Sequence, residues 1–317
     1  MEFFSALALF FIGFFILIRG ADYLVKGAVR LAQLFGVSPW FIGVVIVGIG
    51  TSIPELAVAV ASAFDGTDVG VGTIIGSDIF NLFIIGASAF LAPIVLERAW
   101  MKDFALNALA VTAFGFFALF PVLGDPSYFG ITQFEGIVLI VLSIAWIASL
   151  FRNTPPSLEV VERRVFAYVS AIGLTLVGLA GVFFGGGWVV GGAEVIALAL
   201  GVSPALVGLT VVGIGTSIPE LIVSATAALR GQSGIAVGNL IGSNIFNALG
   251  VMGVAGALHT FLFNARFAPD LSVLVGASAL LVAVVFFFGK QLTISRLEGT
   301  VFILAYVAYF AFALWRG

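Results

Sequence analysis

The sequence contains no cysteine, one histidine and few charged residues, and each shortage excludes a class of protein. Without cysteine there are no disulfides, thiolate metal sites or catalytic thiols. With His259 as the only histidine, a His-rich zinc site is excluded as well. No basic run could follow a phosphate backbone, and no Gly-rich nucleotide motif is present, so we expect no nucleic-acid partner and no ATP site.

Charged residues make up 9% of the 317 residues, whereas a soluble domain carries about 25%. Apolar residues make up 62%, in long stretches without the alternation of membrane β-strands. This composition predicts an all-α integral membrane protein whose helices contact the lipid bilayer. The first apolar segment has no basic leader, so we expect a retained helix rather than a cleaved signal peptide.

The chain repeats itself. Residues 36–56 and 201–221 are identical at 15 of 21 positions, and both segments contain GTSIPE. A second match pairs GTIIGSDIFN at 72–81 with GNLIGSNIFN at 238–247. Repeats of this length indicate a duplicated structural unit. We therefore predict two homologous halves.

The predicted halves are residues 1–151 and 165–317, joined by a polar cytoplasmic linker at 152–164. Apolar runs predict five spans in each half: 3–27, 38–64, 69–91, 104–123 and 133–151, then 165–199, 204–229, 234–258, 270–289 and 293–314. Because five is odd, the second half enters the membrane in the opposite sense. The expected fold is ten transmembrane helices in two inverted five-helix repeats, with helices 2 and 7 broken.

Basic residues predict the orientation, because Lys and Arg concentrate in cytoplasmic loops. An external N-terminus places ten of them on the cytoplasmic side: Lys26, Arg30, Arg98, Lys102, Arg152, Arg163, Arg164, Arg230, Lys290 and Arg296. Only Arg266 and Arg316 then lie outside. We expect a multi-pass protein of the cell membrane with both termini extracellular.

Glu55 and Glu220 lie deep in spans 2 and 7, at equivalent positions of the repeat. A charged group at the bilayer centre costs roughly 3 kcal/mol or more, so it normally faces a functional cavity. Inverted symmetry would bring the two carboxylates together near the midplane. A pair of acidic side chains there predicts a cation site.

The residues beside each glutamate supply more oxygens. Pro54 and Pro219 interrupt their helices and free the carbonyls four residues earlier. Broken helices at the midplane of inverted repeats bind ions in secondary transporters. The hydroxyls of four neighbours add ligands: Thr51, Ser52, Thr216 and Ser217. Oxygen ligands favour hard cations, with calcium and sodium the natural occupants.

Spans 3 and 8 complete the predicted site. Each carries a serine and an asparagine four residues apart, on one helix face: Ser77 with Asn81, and Ser243 with Asn247. Asp78 lies beside Ser77, opposite Asn244 in the repeat, and its orientation is left open.

The motifs GTSIPE at 50–55 and 215–220, with GSDIFN at 76–81 and GSNIFN at 242–247, resemble the two α-repeats of the cation/calcium antiporter superfamily, closest to prokaryotic sodium/calcium exchangers. The resemblance implies that Glu55 and Glu220 bind calcium. It implies that the threonines and serines of GTSIPE help to bind sodium, and that the polar pairs of spans 3 and 8 line the same site. It further implies that spans 1 and 6 slide across the other eight.

The resemblance also reveals a departure. Several sodium/calcium exchangers carry aspartate at the position of Asn247, whereas Asn81 and Asn247 are both neutral here. The predicted site then holds two formal charges rather than three, unless Asp78 points inward.

The function expected from these residues is a sodium/calcium antiporter that extrudes calcium by alternating access, without a cofactor, as a monomer. A proton/calcium exchanger that uses the same glutamate pair is the alternative. A calcium channel is disfavoured by the inverted repeats with broken helices. An enzyme is disfavoured because no hydrolytic constellation accompanies the carboxylates.

Overall fold

The computed structural model describes residues 2–66, 69–120, 129–153, 165–201, 213–263, 267–288 and 292–316, and it is mainly helical. The helices of the first half are α1 (Glu2–Phe35), α2 (Pro39–Thr51), α3 (Ile53–Asp65), α4 (Val69–Leu91), α5 (Met101–Leu119) and α6 (Gln133–Asn153). Those of the second half are α7 (Val165–Ala199), α8 (Gly213–Gly215), α9 (Ile218–Leu229), α10 (Ser233–Leu258), α11 (Ala268–Phe287) and α12 (Arg296–Arg316).

Within the described residues, eight helices are long and apolar enough to cross a bilayer, and α2 with α3 forms a ninth span bent by 43°. The prediction of an all-helical membrane protein is confirmed. Of the predicted span 204–229, the described part is α8 and α9, and residues 204–212 lie outside the described ranges. The other helices follow the predicted spans closely, except that α1 continues from the predicted end at residue 27 to Phe35.

The repeated GVSP segment explains where α1 ends. Gly36 and its repeat partner Gly201 both have left-handed backbones, with φ of 68° and 84°. Glycine adopts this conformation without strain and commonly follows the last turn of a helix. Ser38 then caps α2 by accepting a hydrogen bond from the Phe41 amide at 3.2 Å, with Pro39 in the first turn. The motif stops one helix and starts the next.

Helices α4 and α10 form the centre of the molecule. In their most apolar stretches 72% and 83% of the residues are buried, against 22% in α1 and α7 and 17% in α12. Glycine allows α10 to approach α2 closely, since a Cβ on Gly242 would lie 2.8 Å from the Cα of Val44. The polar segments of the repeat therefore lie inside the protein and away from lipid.

Helices α1 and α7 pack against each other along their full length. A Cβ on Gly20 would lie 2.7 Å from the carbonyl carbon of Gly181, and one on Gly13 would lie 2.9 Å from the Trp188 Cβ. Nearer the N-terminus of α1, a Cβ on Gly192 would lie 2.8 Å from the Ala6 carbonyl oxygen. Small residues at helix contacts are how membrane helices bring their backbones together.

Two short antiparallel ribbons connect the halves. Strand β1 (Ile94–Val95) pairs with β4 (Thr293–Ile294), and β2 (Phe129–Ile131) pairs with β3 (Phe261–Phe263). In each ribbon, one strand belongs to each half of the chain. The backbone amide of Leu96 extends the first ribbon by donating to the Leu292 carbonyl at 2.7 Å.

We predict that Gly20→Ala destabilises the protein by about 1–3 kcal/mol, because the added methyl group overlaps the backbone of α7. Gly187→Ala is the matched control: it has the same change in helix propensity, but nothing lies within 4 Å of its Cβ in the described structure. Thermal unfolding of the purified protein in detergent should show a lower midpoint for Gly20→Ala alone. Equal midpoints for the two variants would contradict the close contact.

Candidate ion-binding site

Each predicted glutamate lies in the first turn after a helix break. The backbone departs from helical geometry at Ser52 (φ −87°, ψ 6°) and at Ser217 (φ −96°, ψ 4°). Proline follows two residues later and is tolerated in the first turn of the new helix. Glu55 in α3 and Glu220 in α9 are thereby carried into the protein interior, where they are 0% and 1% exposed.

The structure brings the sequence-predicted residues together. Glu55 lies within electrostatic reach of Glu220 and of Asp78, and Thr216 of the other half lies near it. Thr51 lies near Glu220 in the same way. Thr216 is half-buried, and the remaining nine predicted residues are buried: Thr51, Ser52, Glu55, Ser77, Asn81, Ser217, Glu220, Ser243 and Asn247.

Hydroxyl contacts connect the two halves around the glutamates. The Ser217 hydroxyl donates to the Ser77 hydroxyl at 2.7 Å. The Ser243 hydroxyl donates to the Gly48 carbonyl at 3.0 Å. Both contacts join a broken helix of one half to the central helix of the other half, so the site is built from both repeats.

Asn239 also lies among the predicted site residues, although the sequence motifs did not indicate it. Its Oδ1 accepts from the Thr51 hydroxyl at 3.1 Å, and its Nδ2 donates to the Ser224 hydroxyl at 2.9 Å. The same Nδ2 lies 3.4 Å from the Glu220 carbonyl oxygen. The sequence spacing is consistent with this position, since Asn239 precedes Ser243 by one helical turn and shares its helix face.

The two asparagines predicted as ligands are held by cross-repeat hydrogen bonds. The Asn247 Nδ2 donates to the Asp78 Oδ1 at 2.9 Å, and the Asn81 Nδ2 donates to the Asn244 Oδ1. A carboxylate oxygen of Asp78 accepts a hydrogen bond, so the Asn247 side chain must turn its NH2 group towards Asp78. The Oδ1 of Asn247 then points the other way. In both asparagines the side-chain oxygen is left without a hydrogen bond among the described residues.

The helix around Asn247 is irregular. Residues Phe246–Val251 of α10 form a π-helical turn, whereas α4, which carries Asn81, is continuous over the equivalent region. A π-helical turn inserts extra backbone, and such turns occur frequently at functional sites. The two halves of the site are therefore similar in composition but different in backbone geometry.

The buried atoms that lack hydrogen bonds at this site are oxygens. Nine such atoms, on seven side chains, have no partner in the described part of the chain: those of Ser52, Glu55, Asp78, Asn81, Thr216, Glu220 and Asn247. Buried polar groups normally have partners, and a buried charge costs several kcal/mol unless it is compensated. Among the described residues, neither glutamate forms an ion pair with Lys, Arg or His.

The described residues include no cluster of three Asp, Glu, His or Cys side chains that could hold a metal ion alone. Any cation bound between the glutamates must therefore also use neutral oxygens. The hydroxyl and amide oxygens around Glu55 and Glu220 have that chemistry, and hard cations prefer such a set.

Comparison with known proteins identifies the family. Residues 5–152 and 170–315 match the family described as sodium/calcium exchanger protein. The chain belongs to the sodium/calcium exchanger family. Its members are transporters, which confirms the predictions of an ion exchanger without a cofactor and of no enzymatic activity.

Relatives match over nearly the whole chain. An uncharacterized membrane protein of Methanocaldococcus jannaschii, MJ0091, is 34% identical over 94% of both chains. The sodium/calcium exchanger MaX1 of Methanosarcina acetivorans is 29% identical over 94% of this chain and 95% of its own. A solved structure of the sodium-calcium exchanger NCX_Mj superimposes with a TM-score of 0.85 at 31% identity, covering 98% of this chain and 99% of that chain.

We predict that Asn247→Asp destabilises the protein by about 3 kcal/mol, because it replaces the amide donor to Asp78 with a second buried carboxylate. Asp78→Asn should cost less, about 1 kcal/mol, since an amide oxygen can still accept. The double variant should recover most of the loss, because amide and carboxylate merely exchange places.

Thermal unfolding in detergent, without added calcium, measures all three variants. Gln133→Glu, at the exposed start of α6, controls for adding one acidic residue and should leave the midpoint unchanged. Additive losses in the double variant would contradict the Asp78–Asn247 contact.

Proposed function

We propose that the protein exchanges sodium for calcium across the cell membrane and that Glu55 and Glu220 together bind the calcium ion. The observation that carries this proposal is the set of nine unpartnered buried oxygens around the two glutamates, in a region where the described residues supply no compensating cation. Two carboxylates neutralise one divalent ion. Calcium takes 6–8 oxygen ligands, and the nine unpartnered oxygens are enough to supply that number.

Sodium would use overlapping oxygens of the same site. In this proposal Thr51, Ser52, Thr216 and Ser217 contribute hydroxyls and nearby carbonyls, while Ser77, Asn81, Ser243 and Asn247 line the centre. Because Glu55 and Glu220 serve both ions, sodium and calcium compete, and only one cargo is bound tightly at a time. That competition couples the movement of one ion to the movement of the other.

In this proposal Asp78 supplies a third negative charge that acts on the ion through Asn247 rather than by direct contact. Its contact with Asn247 directs the amide oxygen of Asn247 away from Asp78, so that the ion meets a neutral oxygen backed by a carboxylate. The position that carries aspartate in several related exchangers is thus neutral here, with the acid on the facing helix.

The proposed topology is ten spans in two inverted halves, residues 1–151 and 165–317, with the linker at 152–164 in the cytoplasm and both termini outside. Contacts at the two ends of the helices support it. At the proposed cytoplasmic end, the Tyr168 hydroxyl donates to the Leu34 carbonyl at 3.0 Å. At the proposed outer end, the rings of Phe64 and His259 lie 6.0 Å apart.

Transport would proceed by alternating access, with the sodium gradient driving calcium extrusion. Helices α1 and α7 are the proposed moving unit, since they pack closely on each other and lie at the periphery. The side chains of α7 lie next to both broken helices: a Cβ on Gly50 would lie 2.8 Å from Leu179, and one on Gly215 would lie 2.6 Å from Val190. All proposed ligands come from one chain, so a monomer contains a complete site.

We predict that Glu55→Gln and Glu220→Gln each abolish calcium flux and reduce calcium affinity by at least about 100-fold, since each removes one of two charges from a desolvated site. The amide is nearly the same size as the carboxylate, so the variants should remain folded. Glu97→Gln, an exposed acid outside the site, is the control. Titration calorimetry with calcium and flux in vesicles provide the measurements, and near-normal affinity in either variant removes that residue from the site.

The counter-ion is tested by uptake of radioactive calcium into vesicles that contain the purified protein. A sodium gradient directed outward should drive uptake, and a pH gradient of equal driving force should not. Vesicles with neither gradient are the control. Uptake driven by the pH gradient alone would show that protons replace sodium at the glutamate pair.

A further inference from the structure

A basic cleft lies between the end of α1 and the turn that joins α9 to α10. It has a volume of about 320 Å³. Its polar lining consists of three cations and two amides: Lys26, Arg30, Arg230, Gln33 and Gln232. This volume is within the range of small-molecule pockets, about 300–1,000 Å³. The cleft shares no residue with the proposed ion site.

The charge of the cleft is only partly compensated. Asp22 forms an ion pair with Lys26 at 2.7 Å and another with Arg230, which belongs to the turn. No acidic side chain of the described residues lies within ion-pair distance of Arg30. One acid therefore serves two of the three cations, and the cleft keeps an excess of positive charge.

We propose that this cleft binds the phosphate group of an anionic ligand. Guanidinium groups present forked donors that match phosphate oxygens, and lysine adds a point charge. The side-chain amides of Gln33 and Gln232, which also line the cleft, supply further donors. Basic pockets between membrane helices on the cytoplasmic side are typical sites for lipid headgroups, and the cleft lies at the end of α1 where the sequence predicts the cytoplasm.

Two sources can supply this phosphate: an anionic lipid such as phosphatidylglycerol, or phosphate in solution. In either case the ligand bridges α1 and the α9–α10 turn, as the Asp22–Arg230 ion pair already does. A bridged α1 is held against the central helices at this end. Resting on the proposed function, bound phosphate would therefore slow the movement of α1 and the exchange rate.

The test measures binding of labelled phosphatidylglycerol to the full-length protein in uncharged detergent, with inorganic phosphate as competitor. Arg30→Gln and Arg230→Gln should each weaken binding about fivefold, the effect of one basic side chain on an anionic lipid. Arg98→Gln is the matched control, an exposed arginine on the same predicted side but outside the cleft.

The variant Asp22→Asn tests whether the basic residues of the cleft bind a ligand or only hold the helices together. It removes the acid that competes for Lys26 and Arg230, so phosphate binding should become about fivefold tighter. Binding of inorganic phosphate alone, lost in Arg30→Gln, would assign the cleft to a soluble ligand. Equal binding of both probes by Arg30→Gln, Arg98→Gln and the parent protein would overturn the proposal. Because binding is measured without ion flux, this outcome is independent of whether the protein exchanges sodium for calcium.

Discussion

The structure depends on two carboxylates, those of Glu55 and Glu220, that are buried together without a cationic side chain of the described residues beside them. Both are buried from bulk solvent, so their mutual repulsion is weakly screened. The surrounding hydroxyls and amides cannot supply the missing positive charge. In the proposed site, the bound cargo ion or protons on the carboxyl groups would compensate this charge.

Close packing of the helices positions the hydroxyl and amide groups around the two glutamates. The glycines of the repeat motifs let the backbones of α2 and α10 come into direct contact. This contact brings the Ser243 hydroxyl of one half to the Gly48 carbonyl of the other. The breaks at Ser52 and Ser217 start new helices in the middle of the protein, and each glutamate follows within one turn. A larger residue at Gly48 or Gly242 would push α2 away from α10 and enlarge the gap between the proposed ligands.

The sequence could predict the helical membrane fold and the residues that gather around the glutamates. An acidic residue beside proline in an apolar span is rarely exposed to lipid, so it indicates a buried polar site. It could not predict that Asp78 faces Asn247, since that contact depends on how α4 and α10 are rotated about their axes. The ribbons were missed because two- and three-residue strands carry no periodic pattern. The π-helical turn at Phe246–Val251 likewise leaves no signal in the spacing of apolar residues.

The two ribbons restrict how the protein can change shape. The strands β1 with β4 and β2 with β3 each join a loop of one half to a loop of the other through backbone hydrogen bonds. A rocking motion that separated the halves would break main-chain hydrogen bonds at a ribbon in every cycle. The α1–α7 pair belongs to neither ribbon. In the proposed transport cycle, a shift of α1 and α7 would therefore leave both ribbons intact, whereas separation of the two halves would not.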